Sequence, residues 1–163
     1  MMTKFMHLIF KLCLLLPGMS LAAAPLQPFE PDSLQNIVKQ HQGKPFVLFV
    51  WSLDCVYCQA SLDHLAQAKR DNKALTVVTL STDAASDPEA APMMQKRLSE
   101  LNLTRDAWAY GSATPEKLKY ALDPKWYGEK PRSYWFNAQG ERVAYSGVLN
   151  AATIKRLYKQ VAK

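Results

Sequence analysis

Cysteine and histidine are scarce in this chain, with three of each among 163 residues. So few ligands leave little room for a closed metal centre built by one subunit. Low-complexity tracts and internal repeats are absent. With 48% hydrophobic and 21% charged residues, that excludes a disordered or fibrous chain. Dense basic runs are absent too: the Lys and Arg residues are scattered, so a formal charge of +6 gives no indication of a nucleic-acid partner. The N-terminal apolar stretch, Phe5 to Leu16, is interrupted by Lys11 and falls short of the roughly 20 residues a membrane span needs. What remains is a length that suits one globular domain with a full core.

The first residues read as an address rather than as structure. Lys4 precedes the apolar stretch, Pro17-Gly18 breaks it, and Ser20-Leu21-Ala22 offers a small-x-small cleavage pattern, with Ala23 or Ala24 as fallback positions. Residues 1–24 are therefore expected to be a cleaved secretory signal, and residues 25–163 a single periplasmic domain. The alternative is an uncleaved N-terminal anchor. Cys13 lacks preceding small residues, so it does not match a lipoprotein acylation site, and it leaves with the segment. Losing Lys4 and Lys11 lowers the formal charge from +6 to +4. The exported chain keeps two cysteines, Cys55 and Cys58, and two histidines, His41 and His64.

The two cysteines sit in "FVLFVWSLDCVYCQASLDHL". In an oxidising compartment such a pair is usually a disulfide. A bridge closing so short a loop constrains the unfolded chain very little, which leaves a purely structural staple poorly motivated. Zinc would need two more ligands, and neither histidine is spaced as a second half-site. A two-coordinate copper(I) clip and a redox dithiol both stay open. The context favours the dithiol. Phe46 to Trp51 is a continuous apolar run, as in a strand buried on both faces. From Cys58 the residues Leu62, Leu65 and Ala66 recur at helical spacing, and Leu75 to Leu80 forms another apolar run. Strand, helix, strand is a crossover between parallel strands. It puts Cys55 at a helix start, where free backbone N–H groups and the helix dipole favour a thiolate. Cys58, one turn in, becomes the buried resolving thiol.

Downstream, Ser133 to Phe136 and Arg142 to Tyr145 read as strands joined by Asn137-Ala138-Gln139-Gly140, a hairpin that Pro131 introduces. Helices are expected over Asp32 to His41 (capped by Asp32 or Ser33), Pro92 to Leu101, from Thr114-Pro115, and Ala151 to Val161, with a short strand at Asp106 to Tyr110. The Met93-Met94 pair reads as core filler.

The chain resembles the thioredoxin superfamily, and within it the exported TlpA, ResA and CcmG-like thiol–disulfide oxidoreductases. "FVWSLDCVYC" is similar to that group's "NFWASWCPPC", and "KPRSYWFNAQGERV" to its "VPTTFLIDRDGRI"; "WYG" (Trp126 to Gly128) is similar to the "VYGAP" of the cytochrome c maturation branch. The resemblance implies an α/β fold of three layers, a central mixed sheet with helices on both faces. It implies Cys55 as nucleophile, Cys58 as resolving thiol, and a cis peptide at Pro131 packed against them. The Lys130 backbone would pair with an extended substrate segment, and Trp51, Tyr57, Trp126 and Pro131 would form an apolar rim. No cofactor or metal is implied. The partners implied are a disulfide-bearing protein substrate and a membrane thiol reductant as electron donor.

The departures bear on direction. Asp54 stands where the family often has tryptophan, Val56 where it often has proline, and Phe49 where some thioredoxins bury an acid. Asp54 is a candidate N-cap and a candidate tuner of the Cys55 pKa: a carboxylate there opposes the thiolate and so favours a reductant over a strong oxidant. Lys125, Lys130 and Arg132 would act oppositely if they point inward. The expectation is a protein-disulfide reductase. The alternatives are a copper(I)-binding or redox-sensing module and a disulfide oxidase or isomerase.

Overall fold

Six consecutive residues from Phe46 to Trp51 are buried, and their side chains divide by parity between the two faces of a sheet. This strand is the third element of a computed structural model that describes residues 25–163. The elements in order are β1 (Gln27–Phe29), α1 (Ser33–Gln40), β2 (Phe46–Trp51), α2 (Val56–Asp71), β3 (Thr76–Ala84) and α3 (Ala90–Glu100). Then follow β4 (Ala107–Tyr110), α4 (Pro115–Leu122), β5 (Arg132–Phe136), β6 (Arg142–Ser146) and α5 (Ala151–Val161). The sheet order is β1-β4-β3-β2-β5-β6. The pairs β1·β4, β4·β3 and β3·β2 are parallel, whereas β5 runs antiparallel to both β2 and β6.

Two cores flank this mixed sheet. Val47, Phe49 and Trp51 face α2, α3 and α5, packing with Leu62, Leu65, Leu98 and Ile154. Phe46, Leu48 and Val50 face α1 and α4, packing with Ile37, Leu118 and Leu122. A strand buried on both faces reads as an unbroken apolar run for this reason. The expected three-layer α/β fold is the observed one.

The local signals hold in most places. Thr114 caps α4 and Asn150 caps α5, each accepting from the backbone N–H three residues on. Asn137 Oδ1 accepts from the N–H of Gln139 and Glu141 in the β5–β6 turn, and Gly140 there takes φ +84°. Other expectations need correction. Asp32 precedes α1 without a side-chain cap bond among the described residues, and Ser33 Oγ instead accepts from the Glu30 N–H. Helix α3 begins at Ala90, two residues before Pro92, because the Asp87 carboxylate accepts from the N–H of Glu89 and Ala90. Its inward face is Met94 and Leu98, so only Met94 fills the core, while Met93 is exposed. The expected cleavable segment lies outside the described residues.

Candidate active site

Strand β2 ends at Trp51, and Ser52 to Asp54 turn the chain into α2. Cys55 occupies the N-cap with extended backbone, and its Sγ accepts from the Cys58 N–H at 3.2 Å. The cap that sequence reasoning offered to Asp54 therefore belongs to the sulfur. Asp54 lies one residue too early to reach the first-turn N–H groups, and its carboxylate accepts from Ser52 Oγ at 2.6 Å. Cys55 and Cys58 are joined by a disulfide, with their Cα atoms 5.1 Å apart. The two sulfurs are unequal. Cys55 is partly exposed, whereas Cys58 is fully buried in the core that holds Leu62 and Trp51.

The second wall comes from the segment before β5. Lys130-Pro131 is a cis peptide. Pro131 is buried, and its carbonyl accepts from the Gly147 N–H at 3.0 Å. Lys130 points inward: its Nζ donates to Ser52 Oγ at 2.7 Å and to Thr82 Oγ1 at 3.0 Å. One ammonium thus ties the ends of β2 and β3 to the loop before β5. Asp83 completes the β3 end by accepting from the Leu53 N–H and from Ser81 Oγ. The Ser52 hydroxyl and the Lys130 charge together hold the Asp54 carboxyl below the usual carboxylate range. Arg132 turns away to Asp123 and Glu129, and Lys125 is exposed.

The expected apolar rim is redrawn. Trp51 is fully buried and Trp126 nearly so, because each belongs to a core; the Trp126 indole N–H is spent on the Glu129 carbonyl. Val56 and Tyr57 are the exposed apolar side chains beside the cysteines, at 77% and 66% exposure, and Tyr127, four residues before Pro131 in sequence, is exposed as well. A groove of about 220 Å³ lined by Thr82, Tyr110, Lys119, Trp126 and Lys130 runs beside that loop. Burial, with Glu116 adding to it, pushes the Tyr110 hydroxyl up to about 12. A larger cavity of about 530 Å³ lies at the other end of β2, beside Phe46 and Gly140, away from the cysteines.

Ser52, Thr82 and Asp83 were not foreseen as site residues. Their signal was weak: a polar run, Ser81-Thr82-Asp83, closing an apolar strand parallel to β2. No group of three or more His, Cys, Asp or Glu poised for a metal ion occurs among the described residues.

No family model matches the chain, and no curated protein matches it. Solved structures do. The chain is similar to a secreted Mycobacterium tuberculosis disulfide oxidoreductase described as homologous to E. coli DsbE, with 24% identity over 76% of this chain and 84% of that one (TM-score 0.53). It is similar to a thiol:disulfide interchange protein of the thioredoxin family from Chlorobium tepidum, with 19% identity over 76% and 83% (TM-score 0.58). It is also similar to an exposed lipoprotein thioredoxin of Streptococcus pneumoniae, with 16% identity over 76% and 89% (TM-score 0.54). With its sheet order, its cis-proline loop and a disulfide-bonded Cys-x-x-Cys opening α2, this chain has the thioredoxin-like fold.

Proposed function

We propose that the chain is an exported thiol–disulfide oxidoreductase that works as a reductant of protein disulfides. The observation that carries this reading is the asymmetry of the pair: a bridged dithiol at a helix start, one sulfur accessible and capped by a backbone N–H, the other buried. In the reduced protein the Cys55 thiolate attacks one sulfur of a substrate disulfide. That S–S bond breaks, the other substrate sulfur leaves as a thiolate and takes up a proton, and the attacked sulfur joins Cys55 in a mixed disulfide. Cys58 then attacks the Cys55 sulfur, and its proton passes to the substrate sulfur that departs from Cys55. The substrate gains two electrons, the protein loses two, and the 55–58 disulfide is the product. A dithiol donor must restore the reduced form; a membrane thiol reductant fits an exported protein.

Direction follows from charge. Strong oxidants stabilise their thiolate. Two carboxylates, Asp54 in the turn before Cys55 and Asp83 at the end of β3, where it accepts from the Leu53 N–H, stand against one ammonium, Lys130. The balance disfavours a thiolate and so favours the disulfide. Val56, Tyr57 and the Lys130-Pro131 backbone are the surfaces offered to an extended substrate segment.

The test is the reduction potential measured against glutathione, together with turnover of insulin disulfides. A potential near the thioredoxin value of about −270 mV supports the reductant; one near about −120 mV reverses the direction. Tight stoichiometric copper(I) binding without insulin reduction would replace the enzyme with a metal clip.

A further inference from the structure

We propose that Lys130 is a positioning residue for the dithiol: through the Ser52 hydroxyl it holds Asp54 charge-matched beside Cys55, and so sets how readily Cys55 loses its proton. This rests on reading Cys55–Cys58 as a redox pair and assigns a regulator to it.

The bridge has a fixed hydrogen order. Ser52 is 1% exposed, and its hydroxyl has a single hydrogen. That hydrogen goes to Asp54 Oδ1 at 2.6 Å, because a carboxylate can only accept. The Ser52 oxygen then accepts from Lys130 Nζ at 2.7 Å, because an ammonium can only donate. The sequence ammonium, hydroxyl, carboxylate leaves no member free to reverse without losing a charge-assisted bond. Ser52 also reaches the redox pair directly: its backbone carbonyl accepts from the Cys55 N–H at 3.3 Å. Lys130 is thus connected to the helix start by one residue.

Other charges nearby are accounted for. Asp83 receives the Leu53 N–H and the Ser81 hydroxyl. Arg97, on α3, spends its guanidinium on Gln59 and Asp63 of α2. Glu129 pairs with Arg132 and Ser146. Lys130 is the cation placed against Asp54; the Ser52 hydrogen bond first, and the Lys130 charge after it, hold that carboxyl below the usual carboxylate range. The family resemblance gives the Lys130 backbone a role towards substrate, and its inward-pointing side chain carries the charge role expected of a cation here. Removing the ammonium leaves Asp54 uncompensated next to Cys55. Removing the carboxylate leaves Lys130 unopposed.

The experiment uses the exported chain in wild-type form and as Lys130→Met, Asp54→Asn, the double variant, Ser52→Ala and Lys130→Arg. Two quantities are read: the pH dependence of Cys55 alkylation by iodoacetamide in the reduced protein, and the equilibrium of two glutathione thiols plus the 55–58 disulfide with glutathione disulfide plus the dithiol. Lys130→Met should raise the Cys55 pKa and shift the equilibrium about three- to tenfold towards the protein disulfide. Asp54→Asn should shift both readouts the other way, and the double variant should return to within about twofold of wild type. Ser52→Ala, which changes no charge, should move the same readouts by less, and Lys130→Arg should preserve them. Unchanged readouts in Lys130→Met, or shifts of the same sign in both single variants, would overturn the bridge. A wild-type protein inert to glutathione would instead sink the redox reading, while the alkylation profiles would still report on the bridge.

Discussion

One helical turn separates Cys55 from Cys58, and it gives them different environments. The first sulfur sits at the N-cap within reach of solvent; the second, in the first turn of α2, is fully buried. With limiting iodoacetamide and reduced protein, Cys55 should therefore be alkylated at least about tenfold faster than Cys58, as read by peptide mass mapping. Equal labelling would contradict the asymmetry on which the mechanism depends. At this scale the sequence displayed the two cysteines and Pro131 clearly, because each belongs to a motif of fixed spacing. It did not display Ser52 or Thr82, since a single hydroxyl at a strand end carries no period. Trp51 was misplaced at the rim for a related reason: it closes a strand whose alternate residues all enter the core, and the next outward-facing apolar side chains are Val56 and Tyr57. Asp54 was misplaced as a cap because nothing in the letters says that a sulfur will take that bond.

Elements are held in place around the proline loop by a compact ion network. Asp123, at the C-cap of α4, accepts from Arg132 at 3.2 Å and from the Tyr134 hydroxyl at 3.1 Å, and Arg142 lies 3.6 Å away. Both guanidiniums also lie over the Tyr134 ring, at 5.0 and 4.7 Å from its centre. The network joins α4, β5 and β6, and with Gly128 at φ +101° it fixes the path of the loop carrying Lys130. Burial alone would raise the Asp123 pKa, but the Lys125 N–H, the Tyr134 hydroxyl and the two arginines outweigh it and hold the carboxyl low. A depressed native pKa means that the unfolded chain binds the proton more readily. The stabilisation is therefore full above about pH 4 and is lost as pH falls through the native value. Asp123→Asn should cost about 2–3 kcal/mol at pH 7. Its gap to wild type in urea denaturation should narrow at pH 3; a gap constant with pH would refute the ionic assignment. Elements with a local signature, such as β2, α2, the β5–β6 hairpin and α5, were legible in the sequence. Strand β1 was not: it has three residues, includes a proline, and exists through pairing with the distant β4.

At the scale of the whole molecule, the sheet brings the parallel ends of β2 and β3 beside the start of antiparallel β5. The cysteines, the Ser52 turn, Thr82 and the proline loop converge there although they are remote in sequence. A short disulfide loop stabilises the fold little, so the two separate cores carry the stability. The central claim is that Cys55 attacks and Cys58 resolves, and trapping measures it most directly. Cys58→Ser protein, incubated with a disulfide-bearing protein such as insulin, should accumulate a mixed disulfide on Cys55. That species should survive non-reducing electrophoresis and be absent when Cys55 is replaced as well. Absence of any thiol-linked species, with disulfide reduction still at the wild-type rate in the Cys58→Ser protein, would contradict it.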